Sequence, residues 1–174
     1  MKYFLALVLF LQCHFLNAKE NIWQGVTFAQ FELADQTGEI HSNKDYLGQW
    51  FIIYFYPKDK TPGCSIEAQN FADDYSKFKA LNVEIIGVSY DDQKSHKEFS
   101  DIYDLKFSLL SDTQHTLAKS MKVDAFFPWP HSSRETFLVN PKGIIIKHYQ
   151  NVAVKTHSSQ LLNDLKLILK KTNL

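Results

Sequence analysis

Residues 50–71 read WFIIYFYPKDKTPGCSIEAQNF, and a change of period inside this stretch decides the fold. Trp50 to Tyr56 is an unbroken apolar, aromatic and β-branched run, as expected of a central strand buried on both faces. It ends at Pro57. From Ser65 onward Ala68, Phe71, Ala72, Tyr75 and Phe78 recur three and four residues apart with charges between them. That spacing predicts an amphipathic helix, entered through Thr61-Pro62-Gly63-Cys64. Cys64 therefore sits just past the C-terminal end of a central strand, at a helix N-terminus, where open α/β sheets place their active sites.

Working outward, residues 28–34 and 39–41 flank Asp35-Gln36-Thr37-Gly38, a turn signal between two short strands. Val83 to Ser89 (VEIIGVS) reads as a second buried strand, Asp91 to Leu105 as a helix, Phe107 to Leu110 as a short strand and Thr113 to Met121 as another helix. Thr136 to Val139 and Ile144 to Tyr149 flank Asn140-Pro141-Lys142-Gly143 as a hairpin, and His157 to Lys171 is an amphipathic helix rich in leucine. Strands alternating with helices, then a hairpin, then a helix, give an α/β class: a central mixed sheet with helices on both faces. No repeat or low-complexity tract interrupts it, so residues 19–174 read as one domain.

Lys2 followed by the apolar run Tyr3 to Leu11 has the layout of a secretory signal over residues 1–18, with cleavage expected after Ala18. The run is about half the roughly 20 residues that a membrane-spanning helix needs, so no stable span is expected. A buried N-terminal helix is the alternative; lipidation at Cys13 fits poorly, because Gln12 stands where a small residue is wanted. Export, to the periplasm, is the expectation. Cys13 would leave with the signal, and Cys64 would be the only cysteine of the mature chain. A lone exported cysteine cannot close an internal disulfide, so its thiol is either buried and inert or free and reactive.

Basic and acidic residues balance at 19 each, which gives no reason to expect nucleic acid or an anionic membrane as partner. The seven histidines (14, 41, 96, 115, 131, 148 and 157) show no close pair at metal-ligand spacing, and no glycine-rich phosphate loop occurs, so neither metal nor cofactor is expected. Lys58-Asp59-Lys60 reads as solvated loop surface.

A thiol reacts as its thiolate, and a helix N-terminus stabilises that anion through free backbone N–H groups and the helix dipole. A free thiol titrates near 8.5, so about 3% is ionised at pH 7; lowering the value to about 6 raises that to roughly 90%. Donors aimed at charge moving onto a leaving oxygen would add more. Thr61 offers a hydroxyl three residues before the sulfur, Gly63 allows close backbone approach, and Arg134 stands just before the hairpin strand, where it could reach the same place. The competing reading is an inert buried cysteine with Thr61 as a plain helix cap.

The segment Tyr54 to Phe71, with Pro57, Thr61 and Cys64 in the order Pro, three residues, Thr, two residues, Cys, resembles the active-site segment of peroxiredoxins. It is most similar to the peroxiredoxin Q, or bacterioferritin comigratory protein, branch. Arg134-Glu135-Thr136-Phe137-Leu138-Val139-Asn140-Pro141-Lys142-Gly143 is similar to a second motif of that branch. The resemblance covers residues 26 to 171 and implies a thioredoxin-like fold and a thiol-dependent peroxidase acting on small peroxides, in a monomer or weak dimer. It implies that Cys64 attacks the peroxide, that Thr61 hydrogen-bonds peroxide and sulfur, that Arg134 orients the thiolate and that Pro57 shields the pocket. Glu67 also matches the pattern, although a first-turn carboxylate facing the helix dipole would look the same. Many members carry a resolving cysteine five residues after the first, and here that position is Gln69. The reductant would then be an external thiol or a thioredoxin-like protein.

Two features leave other readings open. The loop Phe126-Phe127-Pro128-Trp129-Pro130-His131-Ser132-Ser133 looks longer and more aromatic than usual, either a packed rim over the pocket or a docking patch. A thiol-disulfide oxidoreductase would need a Cys-x-x-Cys pair, and Ser65-Ile66-Glu67-Ala68 after Cys64 supplies no second cysteine. A non-catalytic binding or chaperone domain of the same fold is the remaining competitor.

Overall fold

The computed structural model describes residues 22–172; the expected signal segment, Ala18 and Cys13 lie outside the described residues. β1 (Glu32–Ala34) and β2 (Ile40–Ser42) form a small antiparallel pair, followed by a 3-10 turn at Asn43–Tyr46 that the sequence did not signal. Then come β3 (Trp50–Phe55), α1 (Pro62–Ala80), β4 (Val83–Ser89), α2 (Gln93–Tyr103), β5 (Ser108–Ser111) and the short α3 (Thr116–Ser120). A two-residue pair, β6 (Asp124–Ala125) with β7 (His131–Ser132), precedes the hairpin β8 (Glu135–Val139) and β9 (Ile145–Tyr149). The last helix is α4 (His157–Thr172).

The central sheet has five strands in the order β5-β4-β3-β8-β9. β3, β4 and β5 run parallel, and β8 and β9 are antiparallel additions. β3 lies in the middle, and the apolar run that marks it divides by period 2. Ile52, Tyr54 and Tyr56 pack with Ala68, Phe71 and Phe78 of α1, Phe99 of α2 and Leu161 and Leu165 of α4. Phe51, Ile53 and Phe55 face the other way, onto Phe28, Tyr46 and Leu117 of α3. The continuous hydrophobicity of residues 50–56 thus reflects two cores, with helices on both faces as the thioredoxin-like reading requires. Among the described residues no helix is long and apolar enough to cross a membrane.

Two differences from the sequence reading are local. α3 begins at Thr116 rather than Thr113, because Asp112 is fully buried and its carboxylate accepts from the backbone N–H groups of Thr116, Leu117 and Ala118, capping the helix from four residues before it. β3 stops at Phe55, one residue early, as the chain turns toward α1.

Gly87 of β4 pairs with Tyr54 on one side and Leu109 on the other. A Cβ there would lie 2.6 Å from Leu109 Cδ2 and 2.9 Å from Tyr54 Cζ and Oη, inside van der Waals contact. Glycine at this position makes the room that the Tyr54 ring occupies above the sheet. Gly87→Ala is expected to lower stability by about 1–3 kcal/mol through overpacking, measured as a shift in urea midpoint; an unchanged midpoint would show that Tyr54 can move aside freely.

Candidate active site

Cys64 is the third residue of α1. Thr61 is the N-cap in extended conformation (φ −77°, ψ 149°), and Pro62 follows at the first helical position, where its missing N–H costs nothing. The preceding Lys60 takes a left-handed φ of 60°, a turn that redirects the chain from strand to helix. The sulfur is 1% exposed, and Cys64 is the only free cysteine among the described residues.

Burial alone would suit an inert thiol, but the neighbours argue otherwise. β8 pairs antiparallel with β3 in a register that sets Glu135 opposite Phe55. Arg134 therefore arrives at the sheet end from which the chain leaves for α1. Its Nη2 donates to Cys64 Sγ at 3.1 Å, and its Nη1 donates to Glu67 Oε2. Gly63 lets the guanidinium in: a Cβ at that position would stand 3.3 Å from Arg134 Nη2.

Glu67 occupies the position one helical turn after Cys64 and shares its buried face. It is 1% exposed and sits beyond the first turn, which corrects its reading as a carboxylate facing the dipole. Burial pushes its carboxyl up from 4.5 to about 7, and the Arg134 charge and hydrogen bond offset this only in part. The buried Glu67 Oε1 and the nearby Tyr54 hydroxyl have no hydrogen-bond partner among the described residues, so these surroundings solvate the carboxylate poorly. Burial works against the charge of Arg134 as well, but Glu67 and Cys64 together outweigh it and raise the guanidinium above its ordinary value.

Of the five candidate residues, Cys64, Gly63 and Arg134 are in contact, and Pro57 and Thr61 stand half-buried on the loop before the helix. Thr61 differs from expectation in two ways. Its side chain caps no helix N–H. Its hydroxyl hydrogen is given to the Lys58 carbonyl at 2.9 Å. A hydroxyl has one hydrogen, so toward the site Thr61 is an acceptor, not the donor that the sequence suggested.

Other expectations change as well. Lys58 and Lys60 are exposed, but Asp59 between them is 3% exposed and hydrogen-bonded inward, so the run is not uniformly solvated. The aromatic loop is no packed rim: Phe126, Phe127 and Trp129 are 65%, 89% and 48% exposed at the tip between β6 and β7. Away from the sulfur, Asp35, Glu39 and His41 bring one ligand atom each within 4.8 Å of the others, a grouping that histidine spacing overlooks because two of the three are carboxylates. Asp35 is already engaged by Thr37 and His41, which accounts for the cluster. A cavity of about 580 Å³ beside it, lined by Glu39, His41, Asp45 and Glu84 among others, includes no residue of the Cys64 site.

The chain is similar to known proteins along most of its length. The model of the AhpC/TSA family matches residues 25–148. Peroxiredoxin Bcp of Bacillus subtilis (strain 168) is 39% identical over 140 residues, 78% of this chain and 89% of that protein. Chloroplastic peroxiredoxin Q of Oryza sativa subsp. japonica is 39% identical over 128 residues, 74% of this chain and 59% of that protein. The crystal structure of a Xylella fastidiosa PrxQ mutant superposes with a TM-score of 0.80 at 31% identity, covering 88% of this chain and 99% of that one.

The raised Glu67 carboxyl makes a signed prediction. Between pH 4.5 and about 7 the folded protein holds a proton there that the unfolded chain has released. That contribution to stability is complete below pH 4.5 and is lost as pH rises through about 7. Urea unfolding of wild type and Glu67→Gln across this range should show wild type losing stability relative to the variant as pH rises; parallel curves would contradict the assignment.

Proposed function

The chain belongs to the AhpC/TSA family, in its peroxiredoxin Q/Bcp branch, and on that footing we propose that Cys64 is its peroxide-reactive sulfur, working without a resolving cysteine. The protein is a thiol-dependent peroxidase. What carries the assignment to Cys64 is the Arg134 contact, a guanidinium donating into the sulfur of a cysteine at a helix N-terminus.

In the proposed cycle the Cys64 thiolate attacks one oxygen of the peroxide. The S–O bond forms as the O–O bond breaks, and the second oxygen leaves as hydroxide or alkoxide and takes up a proton. Arg134 opposes the negative charge on the sulfur and along the breaking bond. Thr61, its own hydrogen held by Lys58, accepts from the peroxide O–H and so aligns the O–O bond with the sulfur. Pro57 shields the sulfur from water. Cys64 is left as sulfenic acid. With Gln69 in the resolving position, an external thiol condenses with the sulfenic acid, releasing water and leaving a mixed disulfide. A second thiol equivalent, free or on a thioredoxin-like protein, frees Cys64 and departs as the oxidised disulfide.

Residues 1–18 act as a cleaved export signal on this reading, and the mature protein works in the periplasm as a monomer or weak dimer. The charged start, short apolar run and Ala18 support it.

Cys64→Ser should abolish peroxide consumption with a generic dithiol and leave the fold intact, because a hydroxyl near neutral pH is no comparable nucleophile. Arg134→Ala should lower the rate about 100-fold or more, as expected of a lost charge-stabilising donor; full turnover in either variant would move the activity elsewhere. Protein isolated from the bacterial envelope should begin at or near Lys19. After one equivalent of peroxide it should add a sulfenic-acid trapping reagent at Cys64, and excess peroxide should carry it to the sulfinic state. Mass spectrometry reads both. An internal disulfide, or an intact Met1, would overturn the export and one-cysteine readings together.

A further inference from the structure

Five residues before the sulfur, Asp59 turns inward between two exposed lysines. Its carboxylate is fully enclosed: Oδ1 accepts from the Tyr56 hydroxyl at 2.8 Å, and Oδ2 lies 3.0 Å from His96 Nδ1. His96, on α2, is also fully buried, and its Nε2 lies 3.2 Å from the Leu110 carbonyl on β5. Nδ1 also lies 3.3 Å from the Tyr56 hydroxyl, so the ring bridges the loop and the sheet through its two nitrogens. Burying a carboxylate and a histidine together contributes little stability that apolar side chains could not supply.

The backbone of the same residue connects this tether to the active site. The peptide joining Lys58 to Asp59 is held at both ends. Its N–H donates to Asp91 Oδ2 at 2.9 Å, and its carbonyl accepts the Thr61 hydroxyl at 2.9 Å. Asp91 is itself fixed by the Ser89 hydroxyl at 2.7 Å, at the end of β4. A peptide unit is planar, so clamping its N–H fixes the direction of its carbonyl. The direction of the carbonyl decides where the Thr61 lone pairs point. These hydrogen bonds of Asp59, His96 and Asp91 do not touch Cys64 or Arg134.

We propose that Asp59, anchored by His96 and Tyr56, is a positioning residue that orients the Lys58–Asp59 peptide and through it the Thr61 hydroxyl that receives the peroxide. The inference rests on Cys64 being the peroxide-reactive sulfur. It separates two properties of the site: alignment of an O–O bond, which needs Thr61, and reactivity of the sulfur itself, which does not.

The experiment compares two single-turnover rates at Cys64, oxidation by hydrogen peroxide and alkylation by iodoacetamide, in wild type, Asp59→Asn and Tyr56→Phe. Asp59→Asn keeps the size of the side chain and is expected to slow oxidation about 10- to 100-fold, the cost of a misplaced reacting group. Alkylation, which needs no aligned O–O bond, should change less than about twofold. Tyr56→Phe removes one hydrogen bond to the carboxylate and should slow oxidation about fivefold, again with alkylation nearly unchanged; this variant decides the question if Asp59→Asn does not fold. Equal losses in both rates, or no loss in either, would overturn the proposal, since a tether that merely stabilises the fold cannot tell the two reagents apart. Failure of the Cys64 reading would show separately, as wild-type protein that is not oxidised at Cys64.

Discussion

Arg134 reaches Cys64 across 70 residues of sequence, and the central sheet makes that reach possible. β3 and β8 are antiparallel neighbours, so the end of one and the start of the other meet at the same end of the sheet. From that end the chain departs toward α1 with the sulfur and arrives with the guanidinium. A one-residue slip of β8 would turn its side chains to the opposite face, carrying Thr136, Phe137 and Leu138 out of their cores along with Arg134. The packing of the hairpin strand and the position of Arg134 are thus one constraint, and the two hydrophobic cores hold it.

The same cation has to be kept in a place where charge is costly. Its side chain is only 20% exposed, and Glu67 beside it is 1% exposed. Isolated, either charge would be unfavourable there; together with the sulfur they form a chain in which Arg134 bridges two groups able to carry negative charge. Burial raises the Glu67 carboxyl to about 7, so the negative partner of the pair weakens near neutral pH. The guanidinium is shared between Glu67 and Cys64.

Polar groups on the loop before α1 follow a similar logic. Tyr56 closes the β3 run with an apolar ring in the core and a hydroxyl on Asp59, and Ser132 of β7 donates to the Tyr56 carbonyl at 2.7 Å. The short β6–β7 pair thereby ties the segment leading to Arg134 to the segment leading to Thr61. Each contact is small, but in a water-poor interior an unmet polar group is costly enough to fix geometry.

Periodicity alone made much of this molecule legible. Trp50 to Tyr56 announced a doubly buried strand, the spacing from Ala68 to Phe78 announced α1, and Pro62 just inside its start placed Cys64 near the helix N-terminus. These are local signals, set by side-chain alternation and by the backbone rules of proline, and they survive without knowledge of any partner. The spacing of Pro57, Thr61 and Cys64 and the motif at Arg134 came from the family resemblance, and of these residues the structure brings Cys64 and Arg134 into contact. What the sequence could not determine is which polar group meets which. Asp59 read as a solvated carboxylate, Glu67 as either a match to the family pattern or a dipole-facing carboxylate, Thr61 as a donor, and the aromatic loop as either a packed rim or a docking patch. Only the tertiary structure decided these, because a buried hydrogen-bond partner is chosen by strand register and helix packing between residues as far apart as 67 and 134 or 59 and 96, and no local period records that choice.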